Sequence, residues 1–201
     1  MSTENVPDER ECISILREEG CKPSVIHHVC TVKAVAERIA LRSGADLALV
    51  RAGALLHDVG RARVQSIVHV AESARIARER HLPEVLVRVI ERHVAAGLTD
   101  EEAREAGLPG GRYMPETLEE KIVCHADNLV KGRSGLQTLE EAVEEVVARG
   151  YPVTAERMRS MHRELSEACG IDIDDIVRGL RAEPALKGPC AAYNDRKHAR
   201  P

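Results

Sequence analysis

The chain has 201 residues, 43% of them apolar, with 29 basic and 33 acidic side chains and a formal charge of −4. It is long enough to bury a core without disulfides or a structural metal, and its charge balance argues against a nucleic-acid-coating protein, which carries a basic excess. With no Phe or Trp, and Tyr only at Tyr113, Tyr151 and Tyr193, it lacks the stacking platforms of a single-strand binder and must build its core from Ala, Val, Leu and Ile.

The pattern predicts an all-α protein of nine or ten helices. Asp8 caps a first helix that stops at Gly20. Pro23 opens a longer one ending near Ser43-Gly44, with Val25, Val29, Val32, Val35, Ala36 and Ile39 as its apolar stripe. Asp46 caps a helix from Leu47 to Val59 that is apolar on nearly every face until His57-Asp58. A basic turn over 60–65 follows, with Arg61 and Arg63. Ser66 opens a helix carrying His69, and Pro83 opens one carrying His93. The apolar run Val85 to Ile90 reads as helix rather than strand from its phase and neighbours. Thr99-x-x-Glu102, Thr117-x-x-Glu120 and Thr138-x-x-Glu141 have the form of capping boxes. The second of these starts the helix carrying Asp127, and the third a helix ending at Gly150. Thr154 opens a helix ending at Gly170, and a last one runs from Asp172 to about Arg181. The organisation expected is an N-terminal helix over 1–19, a main domain over 20–150, C-terminal helices over 151–182 packed on it, and a loose tail over 183–201 containing Pro184, Gly188, Pro189 and Pro201.

No basic-then-apolar leader and no long apolar run is present, so the default expectation is a cytoplasmic protein with no membrane partner. The cysteines at 12, 21, 30, 124, 169 and 190 form no CxxC pair. They read as small buried hydrophobes, with a disulfide left open, since intracellular disulfides occur in hyperthermophiles.

His28, His57, Asp58, His69, His93 and Asp127 are the candidates to carry chemistry. Each falls on a predicted helix among apolar neighbours, where a lone histidine is usually a hydrogen-bonded core residue. Together, an ionised carboxylate and several imidazoles in helix cores cost several kcal/mol unless paired or metal-bound. Mixed imidazole and carboxylate ligands suit Mn, Fe, Co, Ni or Zn better than calcium. The absence of Cys from the set predicts a water-accessible site rather than a closed structural zinc. Helical phase selects His28 over its neighbour His27, because Val32 and Ala36 continue its face. His125 should point away from Asp127, and His81, His162 and His198 sit in polar surroundings and read as solvent-facing.

The order His28, His57-Asp58, Asp127, in the contexts His28-Val-Cys-Thr-Val, Ala54-Leu-Leu-His-Asp-Val-Gly60 and Lys121-Ile-Val-Cys-His-Ala-Asp-Asn128, resembles the H…HD…D pattern of HD-domain metal-dependent phosphohydrolases. The resemblance covers roughly residues 20–150. With Glu91-Arg-His-Val-Ala-Ala-Gly97 and Tyr113-Met-Pro-Glu-Thr117 it is similar to an archaeal subgroup of unassigned substrate. It implies a compact helical bundle and one or two divalent ions, with Mg added to the metals above. His28, His57, Asp58 and Asp127 would hold the first ion, and Asp58 would bridge to a second held by His69 and His93. A metal-bound hydroxide would then cleave a phosphomonoester or phosphodiester of a nucleotide-like small molecule. The alternative is a metal-containing sensor that binds a nucleotide without turning it over.

Arg61, where some two-metal phosphodiesterases of the superfamily carry lysine, is a candidate phosphate ligand or an exposed loop arginine. Lys131, one helical turn past Asp127, is a candidate for the same pocket or a solvated lysine, and Arg92 and Arg133 are weaker candidates. The Gly-Tyr-Pro element of cyclic-di-GMP phosphodiesterases is missing, and residue 61 is not the carboxylate of the 5′-deoxynucleotidase branch. Nucleic acid is not an expected partner, and the oligomeric state is open.

Overall fold

The computed structural model describes residues 5–132, 135–182 and 190. Among them are ten α-helices, a short 3₁₀ turn and one two-stranded hairpin. Helix α1 (Glu9–Glu18) starts at a capping box in which Asp8 accepts from the Glu11 amide and Glu11 from the Asp8 amide, which satisfies two of the free donors of the first turn. Helix α2 (Pro23–Ser43) has Pro at its first turn and ends at left-handed Gly44. It is the spine of the fold: α3 (Leu47–Leu56), α7 (Leu118–Asn128), α9 (Pro152–Cys169) and α10 (Ile173–Ala182) all pack on it. Its buried stripe is Val29, Val32, Val35, Ala36 and Ile39, with Val25 half-buried at the edge.

Helix α3 is apolar nearly all round and lies in the core against α1, α2, α5 (Glu84–Glu91) and α7. Leu55 and Leu56 are fully buried, a stabilisation of about 1.5–3 kcal/mol each. Gly53 lets α3 approach α5: a β-carbon there would collide with Val89 Cγ1 and stand 3.3 Å from Val89 Cβ. Helix α4 (His69–Glu79) packs on α5 and on the 3₁₀ turn Val59–Ala62. The short α6 (Asp100–Glu105), α7 and α8 (Leu139–Ala148) begin at the capping boxes of Thr99, Thr117 and Thr138.

Several boundaries differ from the sequence expectation in ways that shape the site. The helix from Leu47 ends at Leu56 rather than Val59; His57 closes its last hydrogen bond, and Asp58 leaves helical geometry at φ −99°, ψ 12°. The helix expected from Ser66 starts at His69, and the one expected from Thr154 starts at Pro152. His93 is not on a helix, since α5 ends at Glu91. Beyond Asn128 the chain does not continue as helix either. It enters the antiparallel hairpin β1 (Val130–Lys131) and β2 (Gly135–Leu136), with Gly132 at φ +66°.

Helices α8 and α9 pack together, and α9 also contacts α7. Of the cysteines, Cys12, Cys21 and Cys124 are buried thiols and Cys169 is half-buried. Cys30 and Cys190 form a disulfide across a sequence separation of 160. The rest of the expected tail, 183–189 and 191–201, lies outside the described residues.

Candidate metal centre

His57, His69 and His93 stand at places where a helix is beginning or has just ended, and each ring reaches back three residues. Nδ1 of His57 meets Ala54 O at 2.8 Å, Nδ1 of His69 meets Ser66 O at 2.8 Å, and Nδ1 of His93 meets Ile90 O at 2.7 Å. Nδ1 of His28, on α2, meets Gly132 O in the hairpin turn at 2.8 Å. A carbonyl can only accept, so every Nδ1 carries the proton and every Nε2 is turned toward the centre. Backbone tethering of this kind fixes the tautomer and ring orientation of a metal-binding histidine.

The four Nε2 atoms converge on Asp58 and Asp127. His28 Nε2 is 2.9 Å from Asp127 Oδ1 and 3.8 Å from Asp58 Oδ2. His57 Nε2 lies 3.5 Å from Asp127 Oδ1 and 3.8 Å from Asp58 Oδ2. On the other side of Asp58, His69 Nε2 is 2.9 Å and His93 Nε2 3.8 Å from Oδ1, and the two rings approach to 3.4 Å. His28, His57 and Asp127 form one set of donors able to hold a metal, and His57, Asp58 and His93 an adjoining one. His57, Asp58, His69 and His93 are all at most 3% exposed, whereas the Asp127 side chain is 24% exposed. The buried atoms His57 Nε2 and Asp58 Oδ1 have no hydrogen-bond partner among the described residues, and such orphans are expensive. A divalent cation coordinated by these atoms would remove that cost, so the residues fit the ion.

Electrostatics follow from this packing. Burial alone would raise the carboxyl of Asp58, but the charge on His57 and the His69 contact outweigh it and hold it below the usual range. Asp127 is likewise held well below its ordinary value, burial being overcome by His57 and by the hydrogen bond from His28. Burial lowers His28, yet the Asp127 hydrogen bond and the two carboxylate charges push it up to about 9. His93, with burial and the His57 charge acting together, falls to about 3.

Arg61 reaches the cluster: its Nε donates to Asp58 Oδ2 at 2.6 Å, with a third of the side chain exposed. It lines an open cavity of about 360 Å³ with Ser24, Val25, His28, Asp58 and Gly132. Lys131 is not brought to the cluster, because it sits on β1 rather than one turn further along a helix. Its ammonium is paired with Glu145 on α8, and its side chain is 64% exposed. Arg92 is also elsewhere, buried between Glu116 and Glu120 at 2.8 and 2.9 Å; Arg133 lies outside the described residues.

His28, not His27, belongs to the donor set, as helical phase indicates. His81 is exposed, in a left-handed conformation, and His198 lies outside the described residues. His162 is not solvent-facing. It is 6% exposed, meets His125 Nε2 at 3.0 Å through Nδ1, and meets Asp172 Oδ1 at 3.2 Å through Nε2. Two further contributors do not stand out in the sequence: Gly132, whose carbonyl holds His28, and Asn128, whose side-chain amide donates to the Ala95 and Cys124 carbonyls. A glycine just past a helix end was the available signal for the first.

Residues 25–132 match the model of the HD domain. The chain is 43% identical over 175 residues to a tRNA (cytidine(56)-2′-O)-methyltransferase of Picrophilus torridus, covering 87% of this chain and 51% of that protein. It is 43% identical over 171 residues to the protein of the same name from Thermoplasma volcanium, covering 85% and 50%. An uncharacterised protein of Methanocaldococcus jannaschii is 46% identical over 127 residues, covering 61% of this chain and 75% of that one. The chain thus spans about half the length of the two methyltransferases it matches. Among solved structures, the HD domain of the L. monocytogenes phosphodiesterase PgpH superposes with a TM-score of 0.58 at 19% identity, over 85% of this chain and 97% of that one. Its complex with cyclic-di-AMP superposes at 0.54 with 20% identity, over 85% and 98%. At that identity the likeness shows a shared fold. A match spanning more than half the chain and ending just past the Asp127 helix places this protein in the HD-domain family.

Proposed function

We propose that the chain is a metal-dependent phosphohydrolase acting on a phosphomonoester or phosphodiester of a nucleotide-like small molecule. The observation that carries the reading is the common tethering of the four imidazoles, which presents every Nε2 to the two carboxylates. His28, His57, Asp58 and Asp127 would hold a first ion, and Asp58, His69 and His93 a second, drawn from Mn, Fe, Co, Ni, Zn or Mg. A divalent ion bound there supplies Lewis acidity toward phosphoryl oxygens and lowers the pKa of water. Asp58, buried and kept ionised, balances that charge, and the carbonyl tethers keep the rings from turning. Arg61, at the rim, offers a planar pair of donors to a non-bridging phosphate oxygen. The cyclic-di-AMP complex of a protein with the same fold supports a nucleotide-like ligand.

Protein reconstituted with Mn²⁺ or Fe²⁺ should release product from a panel of nucleoside phosphates, cyclic nucleotides and dinucleoside polyphosphates, and Asp58→Ala should abolish it. Release that survives the substitution would remove this chemistry. A second reading is a nucleotide-binding module without turnover. It is favoured by the names of the methyltransferases, which denote methyl transfer, and of whose length this chain spans about half. Saturable nucleotide binding with no hydrolysis in any metal would select it.

A further inference from the structure

A second cavity, of about 420 Å³, is lined in part by Ile67, Ala95, Leu98, Glu105, Arg149 and Tyr151. Two of its walls are the segments that bear ligands. Ile67 sits between Ser66, whose carbonyl holds His69, and His69 itself. Ala95 follows His93 by two residues, adopts φ +51°, and accepts the side-chain amide of Asn128, the neighbour of Asp127. The cavity is therefore walled by the loops that bear His69 and His93.

Its lining is unusual for this chain. In a protein without Phe or Trp, Tyr151 is placed at the cavity with 60% exposure. Ile67, Leu98 and Val146 supply apolar wall. One carboxylate is unspent: Glu102 is committed to Arg157 and the Thr99 amide, whereas Glu105 makes no hydrogen bond or ion pair among the described residues. A flat ring to stack on, apolar sides and one free acceptor suit a planar heterocycle carrying N–H donors.

We propose that this cavity is the base subsite of the nucleotide ligand, with Tyr151 stacking on the ring and Glu105 accepting from an exocyclic amine. This rests on the nucleotide reading above and narrows it: adenine, guanine and cytosine carry an exocyclic amine, and uracil does not.

Calorimetric titration of Mn²⁺-loaded protein with AMP, GMP, CMP, UMP and ribose 5-phosphate tests the assignment without requiring turnover. At least one amine-bearing nucleotide should bind about tenfold or more tighter than ribose 5-phosphate, the scale of one base stacked on an aromatic ring. Tyr151→Ala should erase that advantage while leaving ribose 5-phosphate binding unchanged. Glu105→Gln should weaken the amine-bearing nucleotides and spare UMP. Equal binding of nucleotides and ribose 5-phosphate, or an advantage that survives Tyr151→Ala, would overturn the subsite. Base-dependent binding without hydrolysis in any metal would instead overturn the phosphohydrolase reading and leave the subsite standing.

Discussion

The guanidinium of Arg61 and the carboxylate of Asp58 are bound to each other, Nε to Oδ2 at 2.6 Å, so a rim cation holds the oxygen opposite the one that faces His69 and His93. A charge in that position opposes the approach of another cation and competes for a ligand atom. Arg61→Gln should therefore tighten Mn²⁺ binding by about threefold or more. It should also raise KM for the phosphorylated substrate by about tenfold or more, the loss of one charge-assisted hydrogen bond. Metal titration and steady-state kinetics on the same preparation check both halves. Weaker metal binding in the variant would show that Arg61 organises the site rather than competing in it.

Metal removal should lower thermal stability. A ligand that binds only the folded state stabilises it by about 2.7 kcal/mol at a hundred times its dissociation constant, and the buried orphans His57 Nε2 and Asp58 Oδ1 regain their cost when it leaves. The melting temperature should fall on chelation and recover when Mn²⁺ is restored. In His57→Ala the restored metal should have little effect. A full metal-dependent rise in that variant would mean the ion sits elsewhere.

Gly60 is a demanding position close to the centre. A β-carbon there would strike the His69 carbonyl and stand 2.6 Å from the Ser73 nitrogen and 2.8 Å from its hydroxyl, which also accepts from the Gly60 amide. These neighbours are mostly backbone and cannot move aside. Gly60→Ala should cost roughly 2–3 kcal/mol, in the range of overpacking, and displace His69 with the start of α4. Denaturation midpoints and metal stoichiometry would report the two effects; a variant unchanged in both would show that α4 yields more easily than its contacts imply.

Much of this arrangement was legible in the sequence because it depends on local rules. The caps at Thr99, Thr117 and Thr138 stand where their spacing placed them, and the α2 stripe located His28 on the inward face. What escaped depends on the chain leaving regular structure or on distant partners. The i−3 tethers of His57 and His93 require the helix to stop before each residue, and periodicity blurs helix ends. Lys131 falls one turn past Asp127 only if the helix continues, and α7 ends at Asn128. His162 looks solvated from its neighbours on α9, but its partner His125 is 37 residues away. Neither Cys30 nor Cys190 carries a local sign of the other.

The Cys30–Cys190 bridge ties the last described residue to α2 across a separation of 160 residues. Closing so long a loop in the unfolded chain is worth up to about 5 kcal/mol in the chain-entropy model. Cys190→Ser should lower the denaturant midpoint under oxidising conditions and match wild type once both are fully reduced. Equal midpoints before reduction would show that the bridge adds no stability.

Glu19 offers a pH test outside the candidate metal centre. At the C-terminus of α1 its carboxylate accepts from Arg63 at 2.6 Å and from Arg80 at 2.8 Å, with the side chain 10% exposed. Burial would raise its pKa, but the Arg80 and Arg63 hydrogen bonds outweigh that and hold it below the ordinary value of 4.5. The unfolded chain then binds this proton more readily than the folded one. The contribution is complete above about pH 4.5 and is lost as pH falls through the folded pKa. Glu19→Gln should thus cost roughly 1–3 kcal/mol at pH 7, with the gap to wild type closing as the pH is lowered below the ordinary carboxylate range. Urea midpoints at several pH values measure that gap. A gap that stays constant down the acid limb would mean Glu19 contributes through packing rather than through its charge.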